Sequence, residues 1–324
     1  MTKTNWLAEN DGRRVTVDVP ASVANLGAGY DCVGMALELT NRVVLEVRSW
    51  SKGGHEVIVT GEGKGELDGG PGNRFILGLE AALRAAGIAI AEATTWRLEM
   101  TNKIPLARGL GSSAAATVGG LLAGNHLAGD TLSSADLLRL ATEIEGHPDN
   151  AAPALLGGFV ATAVLGETVE AIRFDVPRGL RAVLFIPDLR LETAEMRKVL
   201  PARVPRADAV ANLGRVAIGV AGMASGRVDV LRYLMEDRLH EPYRAAVYPQ
   251  LPRMVADARA AGALGASLSG AGSSIIAFAR TISAVGQIEA AFRAAAADSD
   301  LPGHVDVVAP RNAGGAVVAP KPTG

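Results

Sequence analysis

The chain has 324 residues, of which 48% are hydrophobic and 20% charged, with 32 Lys plus Arg against 34 Asp plus Glu. That composition excludes a disordered chain and fits one large domain or two; without a basic excess, nucleic acid is excluded as the main partner. A single cysteine, Cys32, excludes an internal disulfide framework, and no run of about 18 uncharged apolar residues offers a membrane span, so a soluble cytoplasmic protein is expected.

Residues 14–19 (Arg-Val-Thr-Val-Asp-Val) alternate and predict a strand. Pro20 to Asp31 follows as a loop holding Gly27 and Gly29. Asn25 and Asp31 flank those glycines, so the loop could fold both side chains onto one ligand; the alternative is a turn in which each bonds its own backbone. Strands are expected at 42–48 and 56–60, joined by a Ser-Lys-Gly-Gly turn, then a glycine-rich surface loop at 61–72. Asn73 caps a predicted helix running to Ala86, with Leu77 and Leu83 on its apolar face.

Residues 96–101 (Trp-Arg-Leu-Glu-Met-Thr) alternate as a strand that ends before Ile104 and Pro105. Beyond it, Gly109 and Gly111 precede Ser112, Ser113 and an alanine-rich run long enough for about four helical turns. Glycines allow a tight loop, Ser112 or Ser113 suits the N-cap, and the first-turn N–H groups have no partner inside the helix. Strand, Gly-Ser loop and helix therefore make a phosphate cradle; the plainer alternative is an ordinary capped helix. The loop is not a Walker A sequence, since no Lys-Ser/Thr pair follows its second glycine, and it lacks the three-glycine spacing of a dinucleotide fingerprint.

Ser133 or Ser134 caps a helix predicted to end near Glu145. There Glu143-Ile-Glu-Gly-His-Pro-Asp-Asn packs two glutamates, His147, an aspartate and an asparagine around a forced turn, an unusual concentration for a structural loop; the plainer alternative is a solvated polar turn. Strands are expected at 157–164, 171–174 and 181–187, then a short helix that places Arg197 on the same face as Thr193, where by itself it reads as a solvated surface arginine. Two helices over 207–236 and a charged cluster from Asp237 to Arg244 come next. Helix 250–261 leads into a second Gly-Ser loop, 265–274, before a strand at 275–278. A helix at 284–297 and strands at 304–309 and 315–319 close the chain.

Pro105-Leu-Ala-Arg-Gly-Leu-Gly-Ser-Ser-Ala-Ala resembles the ATP loop of the GHMP kinases, which act on small molecules such as galactose, homoserine and mevalonate. Pro20 to Asp31 is similar to the N-terminal motif of the homoserine kinases in that superfamily, from which Ser22, Val23 and Tyr30 depart. Glu145-Gly-His-Pro-Asp-Asn, Thr193 to Pro201 and His240-Glu-Pro-Tyr-Arg resemble further motifs of that family, with Met196 where its pattern has alanine. Ser269-Gly-Ala-Gly-Ser-Ser resembles the third GHMP motif, with serine in place of the commoner proline.

The resemblance implies an α+β GHMP kinase fold: a ribosomal protein S5 domain 2-like N-terminal half (1–168) that binds ATP, and a ferredoxin-like C-terminal half (169–324). It implies transfer of the ATP γ-phosphate to L-homoserine for threonine synthesis; a kinase for another small alcohol such as mevalonate, or a non-catalytic relative, are the alternatives. Pro105, Leu106, Ala107, Arg108, Gly109, Leu110, Gly111, Ser112, Ser113, Ala114 and Ala115 would surround ATP, and Asn73 would lie near the adenine. Ser112 or Ser113 would hold Mg²⁺ with one carboxylate, Glu143 by likeness to the family's helix glutamate or Glu145 as its rival. Asn25, Asp31, His147, Thr193, Arg197 and Arg244 would receive homoserine, the arginines at its carboxylate, with Asp31 also a candidate general base. The expected partners are L-homoserine and ATP, with a homodimer allowed but not required.

Overall fold

The computed structural model describes residues 6–49 and 54–319. The turn expected at 51–54 falls mostly outside the described residues. After a short helix, α1 (Trp6–Asn10), come strands β1 (Arg14–Asn25), β2 (Gly29–Ser49) and β3 (Glu56–Gly61), helix α2 (Arg74–Ala85) and strand β4 (Thr94–Asn102). Helices α3 (Ser112–Leu127), α4 (Ser134–Glu145) and α5 (Ala151–Leu156) precede strands β5 (Phe159–Leu165), β6 (Thr168–Phe174) and β7 (Arg181–Pro187). Helices α6 (Thr193–Lys198), α7 (Arg206–Ala224), α8 (Leu231–Leu234), α9 (Glu241–Arg244) and α10 (Leu251–Ala260) follow. The last elements are β8 (Gly265–Leu268), β9 (Ile275–Ala279), α11 (Ile282–Asp298), β10 (Gly303–Val308) and β11 (Ala316–Val318).

Two sheets organise these elements in the expected α+β class. A seven-stranded sheet runs β11-β1-β2-β4-β3, with β5 beside the start of β2 and β6 beyond it; a four-stranded antiparallel sheet runs β10-β7-β9-β8. The expected division at 168/169 cuts a hairpin, because β6 pairs with β5 from Leu165↔Thr168 to Phe159↔Phe174. The chain's last strand, β11, also returns to pair with β1. One apolar cluster spans both halves, joining Val23, Leu26 and Val33 to Leu184, Leu231, Met235 and Phe278. The cleft described below thus lies on a continuous core.

Three local expectations need correction. Pro20 to Asp31 is not a loop: β1 continues through Asn25 and β2 starts at Gly29, leaving a turn at Leu26–Ala28. Ala21, Val23 and Ala24 are buried together with Ser22, so a strand covered on both faces shows no alternation. For the same reason 265–268 is strand β8, buried along its whole length, and only the following residues form the Gly-Ser loop. In α2, Asn73 is the cap as expected, but Leu77 is 36% exposed; Phe75, Ile76, Leu79 and Leu83 make the buried face.

Candidate active site

A cleft of about 670 Å³ opens between the Gly-Ser loop before α3, the β1–β2 turn, the end of α4 and helices α6 and α9. Entry to the loop is fixed by Asn41, whose Oδ1 accepts from the Lys103 and Ile104 N–H groups. From Pro105 to Ala114 the loop lines the cleft, Leu106 excepted, and Ala115 is buried behind it. The helix cap is not a serine: Gly111 holds that position in the left-handed region (φ 70°), and Ser112 begins the helix. Gly109 is required by close approach, since a Cβ there would meet the Ser269 carbonyl oxygen at 2.1 Å. The Ser269 hydroxyl donates to the Gly109 carbonyl at 2.6 Å, and the Ser274 N–H donates to the Arg108 carbonyl at 3.1 Å.

Arg108 lines the cleft as expected of a residue around ATP, while its guanidinium is held by the backbone. Its guanidinium donates to the carbonyls of Pro187, Leu106 and Asp188, clamping the loop to the end of β7. Asn73 is also committed elsewhere: its Oδ1 accepts from the Phe75 and Ile76 N–H groups and its Nδ2 donates to Asp68, so it does not line the cleft. Arg74, the next residue, does line it.

The two candidate metal carboxylates separate cleanly. Residues two apart on a helix lie on opposite sides. Glu143 is 57% exposed and pairs with Arg139 on the outer face, which corrects its expected place in the cleft. Glu145 is 8% exposed and lines the cleft. Its Oε1 accepts from the Ser113 hydroxyl at 3.0 Å and the Thr117 hydroxyl at 2.6 Å, with Arg74 at 3.9 Å. Thr117 is a residue that sequence reasoning missed, although it stands four after Ser113 on the same helix face.

At the other end of the cleft, the β1–β2 turn presents Asn25 and Asp31, both in the left-handed region (φ 68° and 56°). Asn25 is also a backbone strut: its Oδ1 accepts from the Asp31 N–H at 3.0 Å and its Nδ2 donates to the Gly270 carbonyl at 2.9 Å. Arg197 grips Asp31 with both terminal nitrogens, at 2.7 and 2.9 Å, and donates to the Tyr30 hydroxyl at 2.8 Å. Asp31 is therefore poorly placed as a general base, because Arg197 occupies both its oxygens. Thr193 lines the same wall from the first residue of α6. Met196 is buried beneath that helix in an apolar cluster with Leu268 and Ile275 of the four-stranded sheet, and its carbonyl accepts from Arg244 Nε at 3.4 Å.

Arg244 is 1% exposed yet lines the cleft. Its Nη1 donates to His240 Nδ1 at 3.0 Å and to the Gly270 carbonyl at 2.9 Å. Both arginines reach Tyr30, with guanidinium carbons 5.5 and 5.6 Å from the ring centroid. Burial pushes the His240 imidazole down to about 4, so it is neutral. With Nδ1 accepting from Arg244, its protonated Nε2 donates to the Gly27 carbonyl at 2.9 Å. Asp237 holds this turn of chain by accepting from the N–H groups of Leu239, His240 and Glu241. Nothing in the sequence alone signalled these supporting roles of Asp237 and His240.

His147 reaches the cleft with Nδ1 at 2.6 Å from Asp149 Oδ1. Burial opposes its charge, but the hydrogen bond and charge of Asp149 outweigh it and raise the imidazole above its ordinary value. Among the described residues no protein group bonds its Nε2, which leaves that nitrogen to a ligand. Asp149 and Asn150 lie in the polar segment singled out above, though neither was assigned a role; Asn150 Oδ1 accepts from the Ser22 hydroxyl at 2.9 Å.

Glu241 supports the same wall: its Oε1 accepts from the Leu268 N–H at 2.7 Å, and burial pushes its carboxyl up to about 8. The native protein keeps this proton up to about pH 8, while the ordinary value is 4.5. The contribution to stability is thus full below the lower value and is lost as pH rises through the upper one. Glu241→Gln keeps the acceptor for Leu268 and has nothing to titrate. Thermal melts across pH should show the variant gaining on wild type steadily between those two values. Parallel pH dependences for the two proteins would refute this protonation state.

A Gly-Ser anion loop beside a carboxylate, joined to a second site rich in arginine, defines a small-molecule kinase. Accordingly, the family model described as GHMP kinases N terminal domain matches residues 75–158, and that described as GHMP kinases C terminal matches 220–298. A homoserine kinase of Moorella thermoacetica is 46% identical over 268 residues, 82% of this chain and 87% of that protein. The crystal structure of a homoserine kinase from Cytophaga hutchinsonii superposes with a TM-score of 0.81 at 31% identity, covering 94% of this chain and 97% of that one. A mevalonate kinase of L. major, crystallised with R-mevalonate, shares the fold alone, at 16% identity and a TM-score of 0.67 over 92% of this chain and 95% of that one. The chain belongs to the homoserine kinase family of the GHMP kinases.

Proposed function

We propose that this chain transfers the γ-phosphoryl group of ATP to the side-chain hydroxyl of L-homoserine, giving O-phospho-L-homoserine for threonine synthesis in the cytoplasm. The observation that carries this reading is the cleft's polarity. One end offers loop amides and Glu145; the other offers Asp31, Arg197 and Arg244 within one small pocket. Phosphoryl transfer needs alignment and charge neutralisation more than covalent help from the protein.

The N–H groups of the Gly109–Ser113 loop and of the first turn of α3 receive the phosphates. Mg²⁺ fits the residues present: it takes few protein oxygens, and Glu145 beside the Ser113 hydroxyl supplies that kind of donor set. When bound, the ion neutralises charge on the phosphates; Glu145 and Ser113 would hold it. Arg244 and Arg197 take the homoserine carboxylate, Asp31 takes the ammonium, and His147 meets the reacting hydroxyl through Nε2. Mevalonate, which has no ammonium, offers Asp31 nothing in place of Arg197. An ADP-release assay across L-homoserine, mevalonate, galactose and shikimate tests the reading. Homoserine should give the highest kcat/KM by a wide margin, and a preference for any of the others would overturn it.

A further inference from the structure

The two groups that would receive the opposite charges of an amino acid hold each other in this structure. Arg197 spends both terminal nitrogens on Asp31, and its Nη1 also donates to the Tyr30 hydroxyl. The pair is half-buried, with side chains 36% and 33% exposed, and both residues line the cleft. Arg244 differs. Its Nε and Nη1 are anchored on Met196, His240 and Gly270, so it stays in place whatever Asp31 does. Among the described residues, His147 with Asp149 from the turn after α4 and Arg244 from α9 also face the pair, beside Tyr30, Cys32 and the neutral His240.

We propose that the Asp31–Arg197 ion pair is the specificity gate of the acceptor subsite, opened by exchange and only by a zwitterion. An incoming ammonium replaces the guanidinium on Asp31, and the carboxylate of the same molecule replaces Asp31 on Arg197. Each protein charge leaves one partner as it gains another, so the half-buried site never carries an unpaired charge. An alcohol with a single charge must either leave one member unpaired or leave the gate shut. The site thus rejects such alcohols by an internal competitor as well as by a missing contact. This inference rests on the reading that the subsite takes an amino-acid alcohol.

The test uses three ligands of one skeleton: L-homoserine, 3-aminopropanol (ammonium only) and 4-hydroxybutanoate (carboxylate only). Their dissociation constants are measured by calorimetry on wild type, Asp31→Asn and Arg197→Gln. Both variants should bind homoserine about tenfold or more weakly, the scale of one charge-assisted hydrogen bond. Exchange also predicts gains. Asp31→Asn frees Arg197 and should bind 4-hydroxybutanoate about tenfold more tightly than wild type does, by the same scale. Arg197→Gln frees Asp31 and should likewise favour 3-aminopropanol. A misfolded variant cannot produce a gain, so the sign is decisive. If each variant binds its single-charge analogue no better than wild type, the pair is a fixed support and the gate is refuted. Wild-type turnover of homoserine is recorded in parallel; its failure would overturn the functional reading, while the binding arms still decide the gate.

Discussion

Glu145→Gln should lower kcat by about 10²- to 10³-fold, the usual scale for removing one preorganised electrostatic group, whereas Glu143→Gln should stay within about twofold. The amide keeps the shape of the side chain and an oxygen for the Ser113 and Thr117 hydroxyls, so the contact between α3 and α4 survives. What disappears is a negative charge, largely shielded from water, beside the phosphate loop. Among the described residues no other carboxylate bonds the Ser113 hydroxyl, so on the proposed Mg²⁺ role half-maximal activity should move to higher Mg²⁺ concentration. A melting temperature close to wild type would separate this loss from unfolding. Were Glu143→Gln the more damaging change, the carboxylate would have to act from the outer face of α4, where Arg139 pairs with it.

The opposite facings of these glutamates were legible in the sequence. Leu137, Ala141 and Glu145 follow one another at intervals of four, and the first two are buried against the core. Glu145 continues that buried line, while Glu143 continues the line of Arg139 toward solvent. Family likeness favoured Glu143 because it ignored helical phase. The Gly-Ser loop and its helix were legible because everything they need is local: a strand end, glycines and the start of a buried helix. The strand from Pro20 to Asn25 was not, since burial on both faces erases the alternation that reveals a strand. Nor could composition or spacing bring Arg197 onto Asp31, or Arg244 onto Gly270. Those contacts depend on how α6 and α9 fold back over the β1–β2 turn, and only resemblance placed the residues in one pocket.

Arg244→Leu should raise the KM for homoserine by about 10- to 150-fold, the value of a charge-assisted hydrogen bond in a site shielded from water, and leave the KM for ATP nearly unchanged. The reason for the separation is geometric. Arg244 leans on His240, Met196 and Gly270, and among the described residues it makes no hydrogen bond to the Gly109–Ser113 loop. Leucine fills much of the volume but abandons the donors to His240 Nδ1 and the Gly270 carbonyl. Asn25 Nδ2 still donates to that carbonyl, so the turn bearing Asp31 keeps its strut. Arg244→Lys is the sharper control, since it restores the charge without the planar fork that serves His240, Gly270 and a carboxylate together. It should recover only a small part of the affinity. With 3-aminopropanol, which has no carboxylate, wild type and Arg244→Leu should differ by less than about threefold, well under the loss expected for homoserine. An equal penalty on both substrates would mean that Arg244 acts by holding the wall of the cleft rather than by meeting the carboxylate.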